Sequence, residues 1–540
     1  MKFKIGLAFS GGGFRASSFS LGVLSYLNNV QVKDSTLLNQ VYALSTISGG
    51  TIAGTRYAMG IKNGQSFNEI YWSLYDFMSQ VDLINVGLDN LVKGAETRPT
   101  SLITAFADAY DRNLFDQGKF GTLLEEDNPI HLKHISFNAT EFSNALQFRF
   151  QTTEKIKNAP KGTPDKGIIG NYYYRIPDEI AKEIRMADIL ASSSCFPGGF
   201  EPISFPCDFK LPQQSYEHEF FNNKDFPVGL MDGGIVDNQG IEPLLLAEKR
   251  MSESRKKKKN KGNAFDLLIV SDVTSPYMKG FQPSKTRKPN IWRRLTFLRL
   301  IVVNLILLIA ATIGLISAIG NASLTWSVIC TSLITVNLLV YLLLLLIRKL
   351  PLKFDVPKAF LNPFRKLMKV KFAIYENMIL DRATSLLKMT NDVFLKHIRR
   401  LNYDKIYTDE SWKNRRIMNA IYELREEEDK LQRKIESGKL DKDLIPSKDL
   451  QQVASRASSM GTTLWFTKKE LNDDNMLNSI IACGQFTMCW NLLEYIRTIK
   501  KDDANTNKRH KKLIKLEDQL LSHWKKFNDD PFWLVDGMER

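Results

Sequence analysis

Cysteine and histidine are sparse in this 540-residue chain and acidic residues are outnumbered by basic ones, and each of these imbalances narrows the explanations open to it. The five cysteines, Cys195, Cys207, Cys330, Cys483 and Cys489, are odd in number and scattered, with neither a CxxC nor a Cys/His metal spacing. A disulfide framework and a zinc site are excluded, and the thiols are expected to be free in a reducing compartment; no metal or cofactor is expected. Of the six histidines, His397, His510 and His523 lie in charged helical sequence, while His131, His134 and His218 have no turn motif beside them. Any nucleophile in this chain must therefore find a base other than histidine. Lys and Arg number 74 against 59 acidic residues, a net charge of +15, which implies a polyanionic partner, either nucleic acid or a membrane surface. The amino terminus lacks the apolar h-region and small-residue cleavage site of a signal peptide, so the first domain is expected in the cytoplasm.

What is abundant is apolar sequence. Hydrophobic residues make up 44% of the chain, enough for one large or two ordinary domains. Leu300 to Ile347 contains no charged residue and divides at Gly320–Leu324 into stretches of about 20 and 23 residues, roughly 30 and 34 Å as helices, each long enough to cross a bilayer. Both flanks are basic. Residues 249–294 carry fourteen Lys/Arg against three acidic residues, including Arg255–Lys259; Arg348, Lys349, Lys353, Lys358, Arg365, Lys366, Lys369 and Lys371 follow the second stretch. The positive-inside rule puts both flanks in the cytoplasm and the short turn outside, so the basic runs are expected to meet anionic lipid head groups, not nucleic acid. The sequon Asn321-Ala-Ser323 lies too close to the bilayer to count.

Around this hairpin four regions are expected: residues 1–275 as the first domain, 276–299 as a basic linker, 300–347 as the hairpin, and 348–540 as a basic, then helical cytoplasmic region able to pack back on the first domain. In the first, Lys4–Phe9 reads as a buried strand, followed by a glycine turn at Ser10–Ala16 and a helix face of Phe19, Val23, Leu24 and Leu27. The apolar run Val41–Ile47 breaks at Ser48-Gly49-Gly50 and resumes at helical spacing. Residues 65–126 read as helical and aromatic-rich, either lining a lipid groove or packing a core, and core is the expectation. His131–Phe150 reads as paired strands, Met186–Ser194 as a helix and Phe265–Val270 as another strand. Strands alternating with helices predict an α/β fold with a mostly parallel sheet covered on both faces. Beyond residue 371, Ile417–Lys434 predicts an exposed amphipathic helix, Leu440–Ser455 a polar break, Thr462–Thr467 and Met476–Ile496 core material, and Lys500–Lys512 a solvated loop.

A serine on a sharp strand-to-helix turn presents its hydroxyl at the end of a sheet, beside a helix N-terminus that favours developing negative charge. Thr46-Ile-Ser48-Gly-Gly50 fits that elbow except that Thr46 stands for the first glycine. The run Gly11-Gly12-Gly13 can offer backbone amides to an anion. It also satisfies the dinucleotide pattern Gly11-x-Gly13-x-x-Ala16, but Asp34 precedes the second strand and does not end it; a phosphate loop would need Gly-Lys-Ser/Thr where Phe14-Arg15-Ala16 stands. Asp232-Gly233-Gly234 puts a carboxylate at the head of a tight apolar turn, where desolvation raises its pKa and makes it a usable base.

Gly11-Gly-Gly-Phe-Arg15, Ser48-Gly-Gly and Asp232-Gly-Gly, in that order, resemble the patatin-like phospholipases. Phe137–Phe142 resembles that family's strand after the lid region, Ala191–Pro197 its A-S-x-x-x-P turn, and Asp232–Gly240 the extended aspartate motif of a bacterial subgroup. The resemblance covers residues 3–275 and departs at Thr46 and Ala16. It implies Ser48 as nucleophile, Asp232 as its partner in a dyad, Gly11, Gly12 and Gly13 as the oxyanion hole, and Arg15, Gly49, Gly50, Gly233 and Gly234 in support. It also implies acyl-ester hydrolysis of a membrane phospholipid, here at a bacterial inner membrane. A pseudoenzyme scaffold or pore-former on the same fold is the alternative.

Overall fold

The strand Ile5–Phe9 (β1) alternates between two cores: Ile5, Leu7 and Phe9 face one, Ala8 the other, and all are fully buried. In the computed structural model, which describes residues 3–93, 101–154, 169–222, 226–257, 263–274, 282, 292–353, 369–426, 429–502 and 507–540, β1 sits inside an eight-stranded sheet. Its companions are β2 (Val41–Ile47), β3 (His134–Glu141), β4 (Leu146–Thr152), β5 (Ile203–Phe205), β6 (Val228–Asp232), β7 (Leu267–Asp272) and β8 (Arg416–Ala420). The order is β8-β7-β1-β2-β3-β6-β5, with β4 also paired to β3. From β8 to β3 the neighbours run parallel; β4 and β6 are antiparallel to β3, and β5 to β6. A mostly parallel sheet needs both faces covered. Helices α1 (Gly13–Asn29), α2 (Gly49–Lys62) and α3 (Met186–Ser194) belong to the larger core, whereas Ile241, Leu244, Ala247, Ile406 and Trp412 pack against Ala8, Ala43, Leu268 and Val270 on the other face.

The chain divides into two compact units, residues 1–278 with 390–540, and residues 279–389. In the first, the distal part of the chain supplies β8, the edge strand, and α4 (Met476–Asp502), which packs along α1. The two helices touch backbone to backbone: a Cβ at Gly22 would lie 2.1 Å from the Ile481 carbonyl oxygen, and one at Gly484 2.3 Å from that of Phe19. The exposed helix expected over Ile417–Lys434 is thus corrected. Its first residues form β8, Ile421 and Leu424 turn into the core, and helix resumes only at Asp429–Glu436. Leu440–Ser455 is no polar break, since Leu444, Leu450, Val453 and Ala454 are buried and a helix spans Lys448–Ser459. The loop expected at Lys500–Lys512 is helix on either side of residues 503–506, which fall outside the described residues. One buried ion pair ties the two stretches together: Arg399 Nε lies 2.6 Å from Asp272 Oδ2 at the end of β7, and Tyr403 donates to the same oxygen at 2.6 Å.

In the second unit, helices Phe297–Gly320 and Leu324–Lys353 pack as an antiparallel hairpin. Two helices, Phe297–Gly320 and Leu324–Leu346, are long and apolar enough to cross a membrane. Little of either is buried, and side chains such as Ile306, Ile316 and Leu339 stand exposed, unlike those of a core helix in a water-soluble protein. Asn304 Nδ2 donates to Asn337 Oδ1 at 3.1 Å between them. The base of the hairpin is closed: Thr296 bridges Lys371, Phe297 packs edge-on to Phe372, and Arg293 pairs with Glu376 at 2.5 Å. The expected basic linker 276–299 and the basic residues Lys258, Lys259, Lys358, Arg365 and Lys366 lie largely outside the described residues.

Candidate active site

Ser48 follows the last residue of β2 and forms the N-cap of α2, with φ 49° and ψ −119°. A non-glycine residue there carries strain of about 1–3 kcal/mol, so its surroundings must hold it. They do so through hydroxyls. The Ser48 amide donates to Ser193 Oγ at 2.9 Å, Ser193 donates to the Asn138 carbonyl at 2.7 Å, and Thr51 Oγ1 lies 2.8 Å from Ser193 Oγ. Thr46 Oγ1 donates to Thr51 Oγ1 at 3.0 Å, and Asn138 Nδ2 to the Thr46 carbonyl at 2.9 Å. The departure at Thr46 is therefore built in. Its methyl occupies the space beside Gly54, where a Cβ would stand 2.4 Å from Thr46 Cγ2, and its hydroxyl joins the network bracing the elbow.

The glycine run after β1 folds against this turn. Gly13 has φ +60° and lies so close to α2 that a Cβ on Gly49 would fall 2.1 Å from the Gly13 carbonyl oxygen. Gly50 abuts Ser10 in the same way. The Gly11 amide is already committed, donating to the Asn238 carbonyl at 3.0 Å, which removes Gly11 from the expected set of oxyanion donors and leaves it a packing role. Gly12 and Gly13 remain as candidate donors. The N-termini of α1 and α2 converge here, and neither has a capping side chain or a carboxylate in its first turn. No side chain neutralises either positive helix end, although the Phe14 amide in the first turn of α1 is occupied by the Thr463 carbonyl.

Because β6 runs antiparallel to β3, its carboxyl end brings Asp232 beside Ala139, one residue from Asn138, the partner of Ile47. The Ser48 side chain and the Gly234 amide both favour the ionised Asp232 carboxyl, the amide donating to Asp232 Oδ1 at 2.7 Å. Burial raises the Asp232 pKa from 3.8 to about 6, and the nearby Ser48 side chain and Gly234 amide hold it from rising further. Gly233 packs on the Asn138 carbonyl. Arg15 is buried, its pKa lowered to about 10 by desolvation against the pull of Asp272, and its Nη1 donates to the Met460 carbonyl at 2.5 Å. The histidines stand elsewhere. His134 begins β3, about 13 Å of strand away from Asn138. Burial lowers the His131 pKa to about 4 and that of His134 to about 3.

Ser48 and Asp232 open into a cavity of about 860 Å³ whose walls are chiefly apolar, among them Leu88, Phe106, Phe142, Phe196, Met231 and Trp465. The family model of patatin-like phospholipase matches residues 7–245, a span that contains Gly11–Gly13, Ser48 and Asp232. The chain carries a patatin-like phospholipase domain. Among solved structures, human GIVD cytosolic phospholipase A2 is similar over 51% of this chain and 46% of its own length, at 13% identity and a TM-score of 0.28, a likeness too slight to carry any inference. No curated protein matches the chain. The patatin domain includes the bracing residues Asn138, Ser193 and Thr51; the first two fall in the stretches Phe137–Phe142 and Ala191–Pro197 that resemble the family, but nothing in the sequence assigned any of the three a bracing role. The cavity wall at Thr462–Trp465 lies outside the matched span and had no readable signal of its role.

Proposed function

We propose that the protein is a membrane-anchored serine acyl hydrolase that cleaves glycerophospholipids or related lipid esters through an acyl-enzyme. The observation that carries this reading is that Ser48 and a buried carboxylate of raised pKa, Asp232, line the same end of one apolar cavity. At neutral pH Asp232 is largely ionised, yet it is a stronger base than a solvated carboxylate. As Ser48 Oγ attacks the ester carbonyl, its proton passes to Asp232. The tetrahedral oxyanion is held by the amides of Gly12 and Gly13 and by the ends of α1 and α2, each donor being worth about 10²–10³ in rate. Collapse breaks the bond to the lyso-lipid alkoxide, which takes the proton from Asp232. Water then attacks the acyl-Ser48 ester, giving its proton to Asp232; collapse breaks the acyl–Oγ bond, Asp232 returns the proton to Ser48 Oγ, and the fatty acid leaves.

The apolar hairpin supplies the anchor. Its closed base supports both flanks emerging on one face of the membrane, and the basic flanks favour the cytoplasmic, anionic side. In the test, purified protein and Ser48→Ala are treated with a fluorophosphonate and with phospholipid vesicles. Ser48 should be the labelled residue, and the alanine form should neither label nor release fatty acid. Labelling and release that survive in Ser48→Ala would assign the nucleophile elsewhere; a wild-type protein inert in both assays would favour the scaffold reading.

A further inference from the structure

The cavity is not built by the patatin domain alone. Thr462, Thr463, Leu464 and Trp465 line it from the far end of the chain, and their backbone is fastened to the glycine loop. The Phe14 amide donates to the Thr463 carbonyl at 2.8 Å, and Arg15 donates to the Met460 carbonyl. A Cβ on Gly13 would lie 2.2 Å from the Thr463 oxygen, so the two backbones are in contact. Thr463 Oγ1 donates to the Trp465 carbonyl at 2.8 Å, and the Phe466 ring lies 5.9 Å from that of Phe14. Trp465 is thus tied down on both sides in sequence, to the same loop that faces Ser48. Trp465 lines the cavity and is 39% exposed as a residue, which puts it towards the mouth.

We propose that Met460–Trp465 determines which acyl groups the cavity admits, with Trp465 as the selecting side chain. The inference rests on the reading of the cavity as an acyl site. A rigid indole on a fixed backbone cannot yield to a longer or bulkier chain as a mobile loop would, and one methylene accepted or refused in an apolar pocket changes selectivity by about 10–200-fold. Removing the indole should widen the cavity towards longer acyl groups; adding bulk at Thr462 should narrow it.

Two assays keep this inference separable from the proposed function. Affinity for saturated fatty acids of eight to sixteen carbons is measured in the Ser48→Ala protein by displacement of a fluorescent fatty acid, which needs no turnover. Hydrolysis of the matching nitrophenyl esters is measured with Ser48 intact. Trp465→Ala should raise the long-to-short ratio at least tenfold in both, Trp465→Phe should restore most of the wild-type profile, and Thr462→Trp should lower the ratio. Long-to-short ratios within twofold of wild type in both Trp465→Ala and Thr462→Trp would overturn the selection role. If binding profiles shift while no protein hydrolyses any ester, selection stands and the hydrolase reading falls.

Discussion

The patatin domain and residues 390–540 share one sheet and one core, yet they contribute different things to it. The first holds the Ser48 turn, the glycine loop and Asp232, and it accepts strain there: a positive φ at Ser48 and a carboxylate in an apolar site. The second supplies the edge strand β8, the helix α4 that covers α1, and a cavity wall, held by an ion pair and close backbone packing. Chemistry is concentrated where the structure is under stress, and the stability that offsets it comes partly from a stretch remote in sequence.

Substitutions in the two regions should therefore have opposite signatures. The largest effect is expected for Asp232→Asn, which keeps the shape of the turn but accepts no proton: hydrolysis should fall about 10³-fold or more. Its stability should rise. The folded carboxyl ionises near pH 6 and the unfolded one near 3.8, so the folded state binds more protons between those values and loses stability as pH rises through them. The deficit at neutral pH is about 3 kcal/mol. Denaturant titrations should show the asparagine form more stable above pH 6, with the gain fading towards pH 4, and the wild-type kcat/KM should fall below about pH 6. An asparagine form no more stable than wild type at neutral pH would mean that Asp232 is better solvated than its burial indicates.

Next in size, Arg399→Ala should destabilise the enzyme-bearing unit by about 3–5 kcal/mol because it leaves Asp272 buried without its cation. Unfolding midpoints would measure this, and a loss under about 1 kcal/mol would show that the distal stretch is held by packing alone. The smallest effect should follow replacement of residues 297–346 by a short linker, since the hairpin belongs to a separate unit. Activity on a dispersed ester should stay within about twofold while activity on vesicles falls with the lost surface concentration. A cysteine at Ala322 in an otherwise cysteine-free chain should react with an impermeant thiol reagent in intact cells, and cysteines at Gln282 and Lys369 should not. Reaction at all three, or at none, would break the assigned orientation.

Legibility followed the same division. Strands β1 to β3, α3 and the glycine turns could be read because close backbone approach at Gly13 and Gly49 demands glycine, and buried parallel strands run apolar. The serine and aspartate of the site were legible as motif residues; the loss of the Gly11 amide to Asn238 was not, because it depends on a contact more than two hundred residues away. Ile417, Ile421 and Leu424 repeat at helical spacing, and only pairing with β7 turns the first of them into strand. Gly22 and Gly484 likewise gave no sign of their meeting, since each is an ordinary helix glycine until the other arrives.

The placement of β8 has a consequence for how the protein is made. A ribosome delivers β7 long before β8, and the apolar hairpin emerges between them. At about 5–20 residues per second, the edge of β7 waits roughly 7–30 s for β8, and the outer face of α1 waits roughly 20–90 s for α4. During that interval the two apolar helices have already been synthesised, while the cavity still lacks its Thr462–Trp465 wall. The cavity is thereby completed only after the apolar hairpin has been synthesised.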